Sequence, residues 1–237
     1  MNTVVQEIVA IIDRSGSMYG KEEDTIGGIN TMINELKSKK YENEKIFVSI
    51  KFFDHEQKLA YNRVNIDKMN LLNSEELRPR GPTAILDALG DTLSFYIEKK
   101  IKNQDAFSSC IVYVATDGCE NASKRYNKET IKGIISNAET NYNINIMYLG
   151  ANQDAILEAA NIGINSNLAI NYSENKDNVN SVFRSVARVA SSAIRDNEQL
   201  SFTQEERNNS EKPISFEDIQ PPLITRQTNL QSNTSLF

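Results

Sequence analysis

The sequence predicts an α/β protein built on a doubly wound, mainly parallel sheet with one antiparallel edge strand and helices on both faces. Three observations predict it. Short apolar runs of strand length alternate with longer segments whose apolar residues recur every three or four positions. The connections between most of these runs are long enough to hold a crossover helix, which implies right-handed parallel pairing. Two neighbouring runs, 46–53 and about 57–62, are instead joined by a short polar turn, as in an antiparallel hairpin at a sheet edge.

The elements follow in order. Residues 4–12 (VVQEIVAII) form a buried strand that stops at Asp13. Ile26, Ile29, Ile33 and Leu36 then mark a helix, with Lys37, Lys39 and Lys40 suiting its negative end. The hairpin comes next, and residues 63–82 read as a loop. After Pro82, Thr83 is placed to cap a helix whose apolar face is Ile85, Leu86, Leu89, Leu93, Tyr96 and Ile97. Residues 109–115 (SCIVYVA) form another buried strand, 128–139 a helix, 144–149 (INIMYL) a strand, and about 152–160 a helix ending near Gly163. A last amphipathic helix is expected over 177–195, with Val179, Val182, Phe183, Val186, Val189, Ala190 and Ala193 in one stripe. These elements make a single domain of residues 1–196.

Residues 197–237 change character. They are rich in Ser, Asn, Gln, Glu and Pro, lack sustained periodicity, and are expected to form a disordered or extended tail. The tail has six acidic and three basic residues, half of the net charge of −6, and its apolar spots Ile214–Phe216, Leu223–Ile224 and Leu236–Phe237 are either a docking segment for a partner or incidental residues of a solvated tail.

Composition excludes several functions. A net charge of −6 makes nucleic acid a poor partner, and no apolar run reaches the roughly 20 residues that span a bilayer. The amino-terminal run is strand-length and lacks a basic leader, so no export signal is expected and the protein is read as cytoplasmic. Cys110 and Cys119 flank a strand and should remain free thiols. No cysteine and histidine cluster suits structural zinc, and the single histidine, His55, opens a polar turn and is given no role.

In a parallel sheet, ligands bind outside the carboxyl ends of the strands. There the first strand runs into Asp13-Arg14-Ser15-Gly16-Ser17, and the 109–115 strand into Thr116-Asp117-Gly118. A third loop, Arg80-Gly81-Pro82-Thr83, precedes a helix. All the donors are oxygen, which suits a hard cation such as magnesium or manganese. Two carboxylates balance a divalent charge, and three hydroxyls position the ion without quenching it.

DRSGSM after a strand, GPTAILDAL opening a helix and VATDG after a later strand resemble the metal-ion-dependent adhesion site of von Willebrand factor type A domains. The resemblance covers about residues 4–195 and implies the Rossmann-like fold of that family. It implies Asp13, Ser15, Ser17, Thr83 and Asp117 as ligands of Mg2+ or Mn2+, directly or through water. It further implies binding rather than catalysis, with an Asp or Glu of a protein partner completing the coordination. The stretch YLGANQDAILEAANIGI and the long last helix look most like small intracellular bacterial or phage members. Around the site, Arg14 is either a rim residue selecting acidic partners or a solvated loop residue. Glu120 and Asn121 either hold waters or cap the following turn, and Cys119 is either redox-sensitive or inert.

Two other functions compete with this one. In a scaffold, the metal would be structural and the tail would bind the partner. In a metal-dependent phosphohydrolase, Asp13 would be the nucleophile, but position 15 is serine where haloacid-dehalogenase-type enzymes place a second aspartate.

Overall fold

A computed structural model describes residues 3–151, 154–195 and 199–213. Six strands, β1 (Val4–Asp13), β2 (Glu44–Phe53), β3 (Gln57–Asn65), β4 (Ser109–Thr116), β5 (Ile144–Ala151) and β6 (Ala169–Tyr172), form one sheet in the order β3-β2-β1-β4-β5-β6. All neighbours are parallel except β2 and β3, which pair antiparallel at one edge. The expected doubly wound sheet is therefore present.

The alternation of side chains along buried strands sends successive residues to opposite cores. On one face, Ile8, Ala10 and Ile12 of β1 pack with α1 (Glu22–Lys39) and α5 (Lys176–Ser192), through Ile29, Met32, Val182, Phe183 and Val186. On the other, Val9 and Ile11 pack with α2 (Ile85–Lys102), α3 (Lys128–Tyr142) and α4 (Ala155–Ile162). The helix ends follow local chemistry. Asn127, Asp154 and Asn175 cap α3, α4 and α5 by accepting from backbone N–H groups, and Gly163 at φ 89° closes α4. Acidic Glu22, Glu23 and Asp24 open α1, and Lys37 and Lys39 close it, in accord with the helix dipole.

Four expectations change. The helix after Pro82 starts at Ile85 with Ala84 as its cap residue and no side-chain cap, so the Thr83 hydroxyl does not serve as a cap. The loop over 63–82 begins with the end of β3 and contains two short 3-10 turns, Ile66–Lys68 and Ser74–Glu76. Strand β6, only four residues long, was not anticipated. Part of the expected tail is folded. Residues Gln204–Ser210 form α6, opened by a capping box in which Thr203 and Glu206 satisfy each other's backbone N–H groups.

The α6 helix is tied to the domain by specific contacts. Arg188 of α5 donates to both Glu206 carboxylate oxygens at 2.6 and 2.7 Å, Arg207 donates to the Ala169 carbonyl at 2.6 Å, and Phe202 is buried. The folded unit thus continues past residue 196. The apolar spots at 214–216, 223–224 and 236–237 lie outside the described residues.

Candidate metal centre

β1 and β4 lie side by side, with Ile12 opposite Ala115, and their connections leave toward opposite faces of the sheet. This switch point opens a crevice at the carboxyl ends of the strands. Asp13 stands at the end of β1 and Asp117 directly after β4.

The first loop is shaped locally. Asp13 Oδ1 accepts from the Ser15 N–H at 2.6 Å, bending the chain into the 3-10 turn Gly16–Met18. The Ser15 and Ser17 hydroxyls then lie 3.0 Å apart. The second loop is laced to the first by Gly16 N–H donating to Gly81 O at 2.9 Å and Arg80 N–H donating to Arg14 O at 2.7 Å. The third is laced to the second by Asn121 N–H donating to Thr83 O at 3.0 Å and Thr83 N–H donating to Asn121 Oδ1 at 2.9 Å. Ser17 Oγ closes the ring by donating to Asp117 Oδ1 at 2.6 Å.

Gly118 locates the centre of this ring. A methyl group at its Cα would lie 3.4 Å from Ser17 Oγ, 3.4 Å from Thr83 Oγ1 and 3.9 Å from Asp13 Oδ2. Oxygens from the first and second loops thus converge on one small volume beside the third, into which a side chain at position 118 would project. Together with Ser15 and Asp117, bonded to Ser17, all five residues singled out in the sequence are brought to one place. The donor set and the cradle fit a hard divalent cation.

The electrostatics agree with that fit. Asp13 is fully buried, and burial pushes its carboxyl above the ordinary range despite the opposing hydrogen bonds from Thr116 Oγ1 (2.6 Å) and Ser15. A cation would supply the charge that this carboxylate lacks. Lys21 pairs with Asp117 Oδ2 and with Glu174. Burial works against its ammonium, but those two carboxylates outweigh it and hold Lys21 above the ordinary lysine range. A cavity of about 280 Å3 beside Asp117 is lined by Tyr19, Lys21, Tyr172, Glu174 and Val179, and Tyr19 is 82 % exposed at its rim.

Neighbouring residues take definite roles. Glu120 accepts from the Ala122 and Ser123 N–H groups at 2.9 and 2.7 Å, capping the following turn, and also from Leu86 N–H at 2.9 Å at the start of α2. Arg14 is neither a rim residue nor solvated. It is buried and paired with the buried Asp54 carboxylate at 2.9 Å. Cys119 is exposed and free, whereas burial pushes the Cys110 thiol well above its ordinary range.

Sequence reasoning passed over a second group of ligand-type side chains, Asp54, His55 and Glu56, whose ligating atoms lie within 4.8 Å of one another. Asp54 Oδ2 also meets Arg80 Nε at 2.9 Å, and Arg80 pairs with Glu56. Two guanidinium groups already balance these carboxylates, so this group braces the first loop against the second. The contacts join residues distant in sequence, and only the run Asp-His-Glu hinted at them.

No family model matches the chain, and no curated protein sequence matches it. Solved structures do. The von Willebrand factor type A protein from Catenulispora acidiphila superposes with a TM-score of 0.58 at 16 % identity, over 80 % of this chain and 43 % of that one. The vWF domain of the type V pilus tip protein Mfa5 from Porphyromonas gingivalis gives 0.61 at 12 % identity, over 84 % of this chain and 99 % of that one. Manganese-loaded TRAP protein of Plasmodium vivax gives 0.51 at 18 % identity, over 74 % and 70 %. The chain spans less than half the length of the first of these and of the mussel byssus matrix protein PTMP1, of which it covers 46 %. Strand order, the site's place at the switch point and these likenesses agree that the chain has the von Willebrand factor type A fold.

Proposed function

We propose that this protein is a divalent-cation-dependent protein-interaction module. Asp13, Ser15, Ser17, Thr83 and Asp117 would hold Mg2+ or Mn2+, and an Asp or Glu side chain of a partner protein would complete the coordination. The observation that carries the reading is the cradle beside Gly118, where oxygens from separate loops converge on one small volume. The metal's contribution is charge: with two carboxylates and three neutral hydroxyls it keeps attraction for an incoming carboxylate. The cavity next to Asp117, with exposed Tyr19 at its rim, supplies contact area of the kind protein interfaces favour. The manganese in the TRAP structure supports the choice of metal for a site on this fold.

This reading makes the protein a binder, not an enzyme. A phosphohydrolase of the haloacid-dehalogenase type would need a second aspartate two residues after Asp13 as acid and base, and that position is Ser15. Two free cysteines, one exposed, suit the reducing cytoplasm in which we place it. Among the described residues no helix is long and apolar enough to cross a membrane.

The test is affinity capture with magnesium or with chelator, using the intact protein, Asp117→Ala and a chain ending at Pro213. That end point keeps α6, which is part of the folded unit. A partner retained only with metal, by the intact and shortened chains but not by Asp117→Ala, supports the reading. A partner indifferent to chelator and lost with residues 214–237 would favour the scaffold instead.

A further inference from the structure

The β2–β3 hairpin forms the antiparallel edge of the sheet, and α2 packs on one face of it. Lys51 on β2 lies opposite Leu59 on β3, so both side chains share the α2 face. Between this shelf and α2 is a cavity of about 350 Å3, whose floor includes Lys51, Ser49 and Tyr96 and whose walls are Leu59 and Phe95. Its lining residues contribute nothing to the three loops of the candidate metal centre.

The charge in this cavity is unusual. The Lys51 ammonium donates to Gln57 Oε1 at 3.0 Å and Thr92 Oγ1 at 2.8 Å, both neutral acceptors, which uses two of its three protons. Among the described residues no carboxylate lies within ion-pair distance of it. Asp91 faces the same cavity, but its oxygens accept from Arg125 at 2.6 and 2.5 Å and from Gln57 Nε2 at 2.7 Å. Its nearest cation is therefore Arg125, which also reaches Asp87 at 3.6 Å. Burial holds the Lys51 ammonium below the ordinary lysine range, with Arg125 adding to the effect and Asp91 opposing it. A partly buried cation whose hydrogen-bond acceptors are all neutral is costly, and a bound carboxylate in contact with it would offset that cost.

The walls are equally unsatisfied. Phe95 is 57 % exposed and Leu59 50 % exposed, so an aromatic and an aliphatic side chain of the cavity lining meet solvent. The volume is at the lower end of small-molecule sites, which run from roughly 300 to 1,000 Å3.

We propose that this cavity binds a small organic carboxylate with an apolar or aromatic body. The carboxylate would pair with Lys51 Nζ, and the body would lie between Phe95 and Leu59. The site is independent of the metal-dependent reading and would survive its failure.

Phenylacetate is a suitable probe, titrated into the full chain in chelator so that no metal-bound carboxylate contributes, with binding followed by calorimetry and amide NMR shifts. Saturable binding is expected, with shifts centred on 49–59 and 91–96. The neutral isostere phenylacetamide should bind at least tenfold more weakly, as should phenylacetate to Lys51→Met. Phe95→Ala changes an exposed side chain, should fold normally, and should weaken binding severalfold. If Lys51→Met does not fold, the isostere comparison and Phe95→Ala still decide. No saturable binding, equal affinity for phenylacetamide, or full affinity in a folded Lys51→Met or in Phe95→Ala would overturn the proposal.

Discussion

Ser17 Oγ donates a 2.6 Å hydrogen bond to Asp117 Oδ1 across 100 residues of chain, joining the loop after β1 to the loop after β4. Asp117 lies at the start of a loop, outside both hydrophobic clusters, so its loss should cost metal and not the fold. We expect Asp117→Ala to bind Mg2+ at least tenfold more weakly, with an unchanged far-ultraviolet circular dichroism spectrum. Global unfolding would contradict this.

Gly118 offers a finer test, because its backbone does not have positive φ and alanine fits there without strain. The added methyl would stand 3.4 Å from the Ser17 and Thr83 hydroxyls, inside the cradle. Gly118→Ala should weaken Mg2+ and Mn2+ binding tenfold or more while shifting the melting temperature of the metal-free protein by only a few degrees. Undiminished affinity would place the ion elsewhere.

Lys21 brings a positive charge onto Asp117. Replacing it with methionine keeps the stem and removes a charge that competes with the cation, so Lys21→Met should bind Mg2+ about three- to tenfold more tightly. The gain should shrink at high salt. Calorimetric titration at two ionic strengths checks both statements.

Two carboxylates set a response to acid. Burial works to raise the pKa of Glu206, but Arg188 and the Thr203 N–H outweigh it and hold the group below the ordinary range. Burial is likewise outweighed at Asp87, by the Lys124, Arg125 and Tyr126 N–H groups. A depressed folded-state pKa contributes stability above the unfolded value, and that contribution is lost as pH falls through the folded one. Protection of the amides at 204–210 and 124–126, taken against their intrinsic exchange rates, should therefore fall as pH drops below about 4.5. In Glu206→Gln, α6 should lose this acid dependence; if it persists, the pairing with Arg188 is not its cause.

Gly28 lets α1 approach α5 closely. A methyl there would meet Phe183 Cδ2 at 2.3 Å and Val179 Cγ1 at 2.9 Å, and the Phe183 ring is held edge-on against Tyr113. Gly28→Ala should destabilise by about 1–3 kcal/mol through overpacking. Thermal unfolding checks this, and an unchanged melting temperature would mean that the helices can part.

Much of this was legible in the sequence because the signals are local. Ile26, Ile29, Ile33 and Leu36 recur with helical spacing, and Asp13-Arg14-Ser15-Gly16-Ser17 shapes its own turn. Strand β6 escaped because four residues are too short to show alternation, and its pairing with β5 is a tertiary contact. Helix α6 escaped inside a polar stretch, although Thr203 and Glu206 carry the capping-box spacing. Thr83 looked like a cap because a hydroxyl before a helix usually is one. What frees it is the lacing of its backbone to Asn121, 38 residues away. Arg14 has an ordinary surface residue's sequence context, and only folding brings Asp54 beside it.

Cation binding at the three loops is tested by calorimetric titration of Mg2+ and Mn2+ into the folded protein, run in parallel on the native chain, Asp13→Ala and Gly118→Ala. One saturable site is expected in the native chain, lost in Asp13→Ala and weakened at least tenfold in Gly118→Ala, with all three proteins folded. Absence of saturable binding to the native protein, or binding untouched by either substitution, would contradict it.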